Sequence, residues 1–295
     1  MSTSPKAIRQ ASPGALRPKD LITGSTRVSS LPEIYIMINE VVNDPNHSFS
    51  DISRVVNLDP ALSARLLKIV NSSFYSFPSN IETVTHAVSV IGTEQLHDLA
   101  LATTILANFK GIPDKVINMN LFWRHSLGVA IIARNLAIHC RESNPERFFL
   151  AGILHDIGRL IILENLPEES KEILARHNEI GGVMWQIERE VMGFDHGDIG
   201  AALARHWNLP LSLEEIIGNH HNPGRSKRYP LETTVVHLAD IIAKAMELGS
   251  SGDIYIPPLD EKSWDLLQLP TGIFSAIWGQ VETQLNESID IVLSG

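Results

Sequence analysis

From about residue 31 to the C-terminus, apolar residues recur at spacings of three and four, and the alternation of a half-buried strand is nearly absent. A chain patterned this way packs helix on helix. Several helix starts are legible. In NLDPALSARLLKIVNSSFY, Asp59 stands where a cap is needed and Pro60 at the first helical position. Leu62, Leu66 and Ile69/Val70 then share one face. HSFSDISRVVN, just before it, reads as another short helix, and GTEQLHDLALATTILANF starts after Gly92 with Thr93 as cap. LPLSLEEIIGNHH carries Ser212-x-x-Glu215, the spacing of a capping box. The expected fold class is therefore all-α. Residues 25–115 form a set of short amphipathic helices ended by GIPDK, and residues 116–295 hold longer helices.

Composition narrows the function classes. Hydrophobic residues make up 44% of the 295 and charged residues 20%, enough to bury a substantial core and too apolar for a disordered chain. A net charge of −10 argues against an extended basic footprint for nucleic acid. DISRVVNLDPALSARLLKIVNSS has a helix-turn-helix rhythm but only Arg54, Arg65 and Lys68 to meet phosphates. With Cys140 as the single cysteine, an intrachain disulfide and cysteine-rich metal sites are excluded, so a metal site must use histidine and carboxylate. No apolar run reaches the roughly 18–20 residues of a membrane span, and MSTSPKAIRQASPGALRPKD lacks the apolar centre of a signal peptide. Residues 1–24 read as a flexible, locally basic tail, and cytoplasmic residence is the expectation.

The chemistry is concentrated in the second portion. RFFLAGILHDIGRLIILENL is apolar nearly all round yet contains His155 and Asp156, with Gly152 and Gly158 removing bulk beside them. A carboxylate buried there costs several kcal/mol unless it is paired, hydrogen-bonded or bound to a cation. The same dipeptide at His97-Asp98 follows a polar helix start and is expected to face water. Further histidines and acids lie on apolar helices: His125 in NLFWRHSLGVAIIARNL, His196 in VMGFDHGDIGAALARHW, His220 and His221 in IIGNHHNPG, Asp240 in TTVVHLADIIAKA. No matching set of buried bases is evident, which favours a metal site.

The ordered series His125, His155-Asp156, His196, His220-His221, Asp240 resembles the HD superfamily of metal-dependent phosphohydrolases. LPEIYIMINEVV, DISRVVNLDPALSARLLKIVNSSFY and ETVTHAVSVIGTEQLHDLAL sharpen this to a resemblance to the HDOD family, over about residues 25–240. The resemblance implies an HD-superfamily helical bundle with an N-terminal helical subdomain. It also implies two divalent transition-metal ions bridged by Asp156, one held by His125, His155 and Asp240, the other by His196 and His220 or His221. Adjacent helical residues point about 100° apart, so both His220 and His221 reach one ion only where the backbone leaves the helix, as Asn222-Pro223-Gly224 permits. Imidazole with carboxylate and no thiolate suits iron, manganese or zinc, and iron is the expectation. Such a pair activates water and clamps the oxygens of a phosphoester.

HDOD proteins are described as bacterial signal-transduction modules related to the HD-GYP cyclic-di-GMP phosphodiesterases, many having lost their ligands; here the set is complete. The departures lie elsewhere. Arg159 stands where those enzymes have lysine after the HDxG motif. HHNPGRSKRYP keeps the paired histidines and Tyr229-Pro230 but rewrites the segment between, placing Arg225, Lys227 and Arg228 there. The resemblance implies a regulatory, protein-interaction role in a signalling pathway. The alternative is a phosphohydrolase on a nucleotide or cyclic dinucleotide, with Asp156 and Arg159 catalytic and Arg225, Lys227 and Arg228 on the phosphate. A diiron redox sensor or oxidative enzyme is a third reading.

Overall fold

A computed structural model describes residues 16–24, 31–108, 117–253, 255–270 and 272–293, and among these every regular element is a helix. The first portion contains α1 (Pro18–Gly24), α2 (Glu33–Val42), α3 (Phe49–Val56), α4 (Pro60–Val70), α5 (Val84–Ile91) and α6 (Thr93–Asn108). The second contains α7 (Met119–His139), α8 (Pro145–Leu154), α9 (Ile157–Asn165), α10 (Pro167–Ile180), α11 (Met184–Met192) and α12 (His196–His206). It continues with α13 (Leu211–Asn219), a 3₁₀ turn at Pro223–Arg225, α14 (Pro230–Ala245), α15 (Glu261–Leu267) and α16 (Ile273–Leu293).

Local chemistry accounts for most helix starts. Asp59 accepts from the amides of Ala61 and Leu62 at 2.9 and 3.0 Å ahead of Pro60, and Leu62, Leu66, Ile69 and Val70 are buried. Ser48 and Asp51 form a reciprocal capping box at α3. The box read at Ser212 and Glu215 does not form. Pro210 precedes α13 with no side-chain cap, Ser212 is buried inside the helix, and Glu215 instead accepts from Ser226 Oγ at 2.8 Å. α6 begins at Thr93 itself.

Of the tail read over residues 1–24, Lys6 and Arg9 lie outside the described residues, as do Arg27 and the GIPDK segment. Its last seven residues are the helix α1, which packs on α12 and α9 and buries Leu21 and Ile22. Asp98 also departs from the surface reading. It is only 14% exposed, takes the Asn144 side-chain amide at 3.1 Å, and lies beside His97.

One apolar core runs through both portions. Its axis is α7, buried along most of its length and packed against α8, α14 and α16. A buried ion pair joins the portions: Glu146 on α8 takes Arg134 Nε at 3.1 Å and the Tyr75 hydroxyl at 2.9 Å, while the Arg134 guanidinium lies 4.0 Å from the Phe74 ring centre. Two glycines let helices touch through their backbones. A Cβ at Gly152 would overlap the main chain of Ala130 on α7, and one at Gly158 would overlap the His196 carbonyl on α12. Neither obstacle can rotate away. Gly158→Ala should therefore destabilise the fold by about 3 kcal/mol in urea unfolding. Gly279→Ala, on the exposed part of α16 with nothing nearby, should stabilise it by roughly 0.5–1 kcal/mol.

Candidate metal centre

The apolar segment around His155-Asp156 is not one helix. α8 ends at Leu154, α9 starts at Ile157, and Asp156 lies in the break with φ −100° and ψ 7°. This corner carries the two side chains to the middle of the bundle. α7 brings His125, the first residue of α12 is His196, the turn after α13 supplies His220 and His221, and α14 supplies Asp240. All are buried except His221, which is partly exposed.

Two constellations share Asp156: His125 with His155, and His196 with His220 and His221. His196 Nε2 lies 2.9 Å and His220 Nε2 3.8 Å from Asp156 Oδ1; His155 Nε2 lies 3.3 Å and His125 Nε2 4.0 Å from Oδ2. Asp240 joins on the second side, its Oδ1 3.1 Å from His125 Nε2 and 3.8 Å from His155 Nε2. Because α13 stops at Asn219, His220 and His221 both turn inward, and His221 Nε2 comes within 2.7 Å of His196 Nε2.

Tautomers follow from the outer contacts. The Nδ1 of His155 donates to the Gly152 carbonyl and that of His220 to the Ile217 carbonyl, both at 2.7 Å, while His196 Nδ1 meets Glu188 Oε2 at 2.6 Å. A carbonyl acceptor requires Nδ1–H, which leaves Nε2 of His155 and of His220 as the ring nitrogen facing Asp156. His125 has no such anchor, since its Nδ1 makes no hydrogen bond. Burial, reinforced by neighbouring imidazoles, holds His220 and His221 well below the usual histidine range, in the neutral form that binds metal. Burial also opposes charge on His196, yet Glu188 and Asp156 overcome it and push the imidazole up to about 9. Against the cost of burial, His155, Arg159 and His196 hold the Asp156 carboxyl well below the usual carboxylate range; Lys244 and His125 do the same for Asp240.

The residues fit a metal on a direct observation. Both carboxylate oxygens of Asp156, Nε2 of His155 and Nε2 of His220 are buried and make no hydrogen bond. Each such orphan costs roughly 1–3 kcal/mol, and here the orphans converge on the same carboxylate.

Against the expectation that no buried bases match the acids, two are present: Arg159, named above as a catalytic candidate, and Lys244. Lys244 Nζ lies 2.8 Å from Asp240 Oδ2, and Arg159 Nε 3.4 Å from Asp156 Oδ1. Asp253, on the segment after α14, faces both: its Oδ2 is 3.8 Å from Lys244 and 3.9 Å from Arg159. With Glu188, this makes four buried carboxylates against two permanent cations, a deficit that imidazolium or a bound cation must offset. Lys244 was legible as the residue four after Asp240 in an apolar helix. Glu188 lies on the buried face of α11 with Met184 and Ile187. Arg225, Lys227 and Arg228 are exposed, and the structure does not bring them to the cluster. Their loop is tied to Glu215 by Ser226 and by the Arg228 amide at 3.2 Å.

The sequence matches the model of the HDOD domain over residues 28–223. An uncharacterized protein of Treponema pallidum (strain Nichols) is 28% identical over 217 residues; the match spans 70% of this chain and 40% of that protein. Among solved structures, an HDOD domain protein of unknown function from Geobacter sulfurreducens superimposes with a TM-score of 0.69 at 26% identity, covering 94% of this chain and 91% of that one. A Shewanella amazonensis SB2B protein, provisionally named a phosphohydrolase, gives 0.66 at 25% identity, covering 92% and 98%. No helix among the described residues is long and apolar enough to cross a membrane.

Glu188→Gln keeps the shape of the side chain and removes its charge. It should lower metal affinity about 10–100-fold in a competition titration. In metal-free protein it should also bring the His196 titration, read by NMR, down from about 9 toward the ordinary histidine range.

Proposed function

The chain belongs to the HDOD family, and we propose that it is a signalling module whose His/Asp centre holds two divalent transition-metal ions and whose output is contact with a protein partner. His125, His155 and Asp240 would hold one ion, His196, His220 and His221 the other, with Asp156 shared between them. When bound, the ions supply concentrated positive charge and Lewis acidity. The chain's own groups do the rest: Glu188 orients His196, the Gly152 and Ile217 carbonyls orient His155 and His220, and Lys244 balances the outer oxygen of Asp240.

One observation carries the regulatory reading over turnover: the centre is closed. Asp156 is 1% exposed, and of the candidate ligands only His221 reaches partial exposure, with Trp185 stacked on it at 5.7 Å and 13°. The basic loop, held at Glu215, offers Arg225, Lys227 and Arg228 to solvent. The donor set suits iron, manganese or zinc, and iron is the metal we expect.

The second reading, a metal-dependent phosphohydrolase, draws on the complete set of ligand-type side chains and on the provisional name of the Shewanella protein. In that reading Arg159, beside Asp156, and the loop cations Arg225, Lys227 and Arg228 meet phosphate after an opening motion.

Protein purified without chelators should carry about two metal ions per chain by elemental analysis, matching the two constellations, and Asp156→Asn and Asp156→Ala should carry near none while keeping the helical circular-dichroism spectrum. The metal-loaded parent should leave phosphomonoesters, phosphodiesters and cyclic dinucleotides uncleaved. Turnover that Asp156→Asn abolishes would replace the regulatory reading with the hydrolytic one.

A further inference from the structure

A cavity of about 50 Å³ opens between α9, the α10–α11 pair and the segment after α14. Ile162, Leu163, Ile173, Leu174 and Met184 form its apolar walls, while Arg159, Glu188 and Ser251 form a polar floor. Ile173 and Met184 belong, with Ile187, to a small apolar cluster separate from the main core. The cavity thus lies at a seam between two packed clusters.

Hydrogen bonding on the floor is incomplete. Arg159 is 4% exposed and Ser251 2%. Arg159 Nη1 donates to the Ser251 carbonyl at 2.9 Å, but Nε, Nη2 and the Ser251 hydroxyl make no hydrogen bond. Buried polar groups left so are uncommon and call for a partner. The backbone keeps the floor clear as well. Gly252 has φ 98°, and a Cβ there would lie 3.8 Å from Arg159 Nη1 and 3.7 Å from Ile117 Cδ1.

Charge selects the kind of partner. Arg159 already faces Asp156 at 3.4 Å and Asp253 at 3.9 Å, and Glu188 is a third carboxylate on the same floor. An anion entering would meet all three, and a cation would meet the guanidinium. A neutral oxygen accepts from the unused N–H and O–H groups without either penalty. A water needs roughly 10–15 Å³ of such space, so the cavity of about 50 Å³ holds roughly three to five groups of that size. We propose that this cavity binds a small neutral amphiphile, with a carbonyl or hydroxyl oxygen at Arg159 and Ser251 and a hydrocarbon body of about four carbons along the α10–α11 wall. The site is independent of whether the centre holds metal, although it adjoins Asp156 through Arg159 and His196 through Glu188.

The test is a methyl NMR titration of the full chain with 2-butanone, n-butyrate, n-butylammonium and n-pentane. 2-Butanone should give saturable shifts at Ile162, Ile173 and Met184 with a Kd on the order of millimolar. Butyrate and butylammonium should bind at least about tenfold more weakly. Leu174→Phe, at a partly exposed wall position, should abolish the shifts by filling the space. Ser251→Ala removes a hydroxyl that makes no hydrogen bond, so it should leave stability and metal content unchanged, weaken 2-butanone several-fold and leave pentane unaffected. Absence of saturable shifts at those methyls, butyrate binding as tightly as the ketone, or an unaltered ketone affinity in Ser251→Ala each overturns the proposal.

Discussion

Asp156 has no access to water and both of its oxygens lack hydrogen bonds, so everything around it answers to that one charge. Three imidazoles turn their Nε2 atoms toward it, each steered from behind by a carbonyl or by Glu188. Arg159 approaches without reaching hydrogen-bond geometry. A carboxylate stays ionised in a low-dielectric interior only where positive charge is near, and the arrangement leaves room for more of it than the protein itself supplies.

The backbone makes the arrangement possible. If α8 and α9 were one helix, His155 and Asp156 would point to different neighbours, because successive side chains diverge by about 100°. The break at Asp156 lets both face the same centre. Gly158 then brings α9 against the first turn of α12, where His196 sits, and Gly152 brings α8 against α7 below His125. The conformational freedom of these glycines is incidental; the missing side chain is what matters.

Around this inner set runs a second set of charges. Asp253 joins the segment after α14 to Arg159, Lys244 and the Met184 amide, and thereby joins α9, α11 and α14 to each other. The centre is closed, the basic loop is tied to Glu215, and an apolar seam lies beside Arg159, a geometry unlike an open cleft. Arg159, one of the two cations that balance the buried acids, also lines the neighbouring cavity, so the charge balance of the centre and the cavity meet at that side chain.

Much was legible before any coordinates. Helical period sets the all-α class because a 3.6-residue repeat can bury only one stripe per helix, and capping chemistry is local, as at Asp59 and Ser48. Acids and imidazoles in greasy helices already implied a shared polar centre. Sequence spacing was silent on three things that depend on distance across helices. These are the approach of Asp253 to both Arg159 and Lys244, the role of Glu188 behind His196, and the turning of Glu215 from a cap to a loop anchor. A charged side chain reads as surface until packing shows which face is covered, and the short polar stretch around α1 reads as tail until Leu21 and Ile22 are seen to be buried. The order of residues determined which groups exist to meet; the packing of α7, α9, α12 and α14 decided which of them meet, because burial and electrostatics act through space.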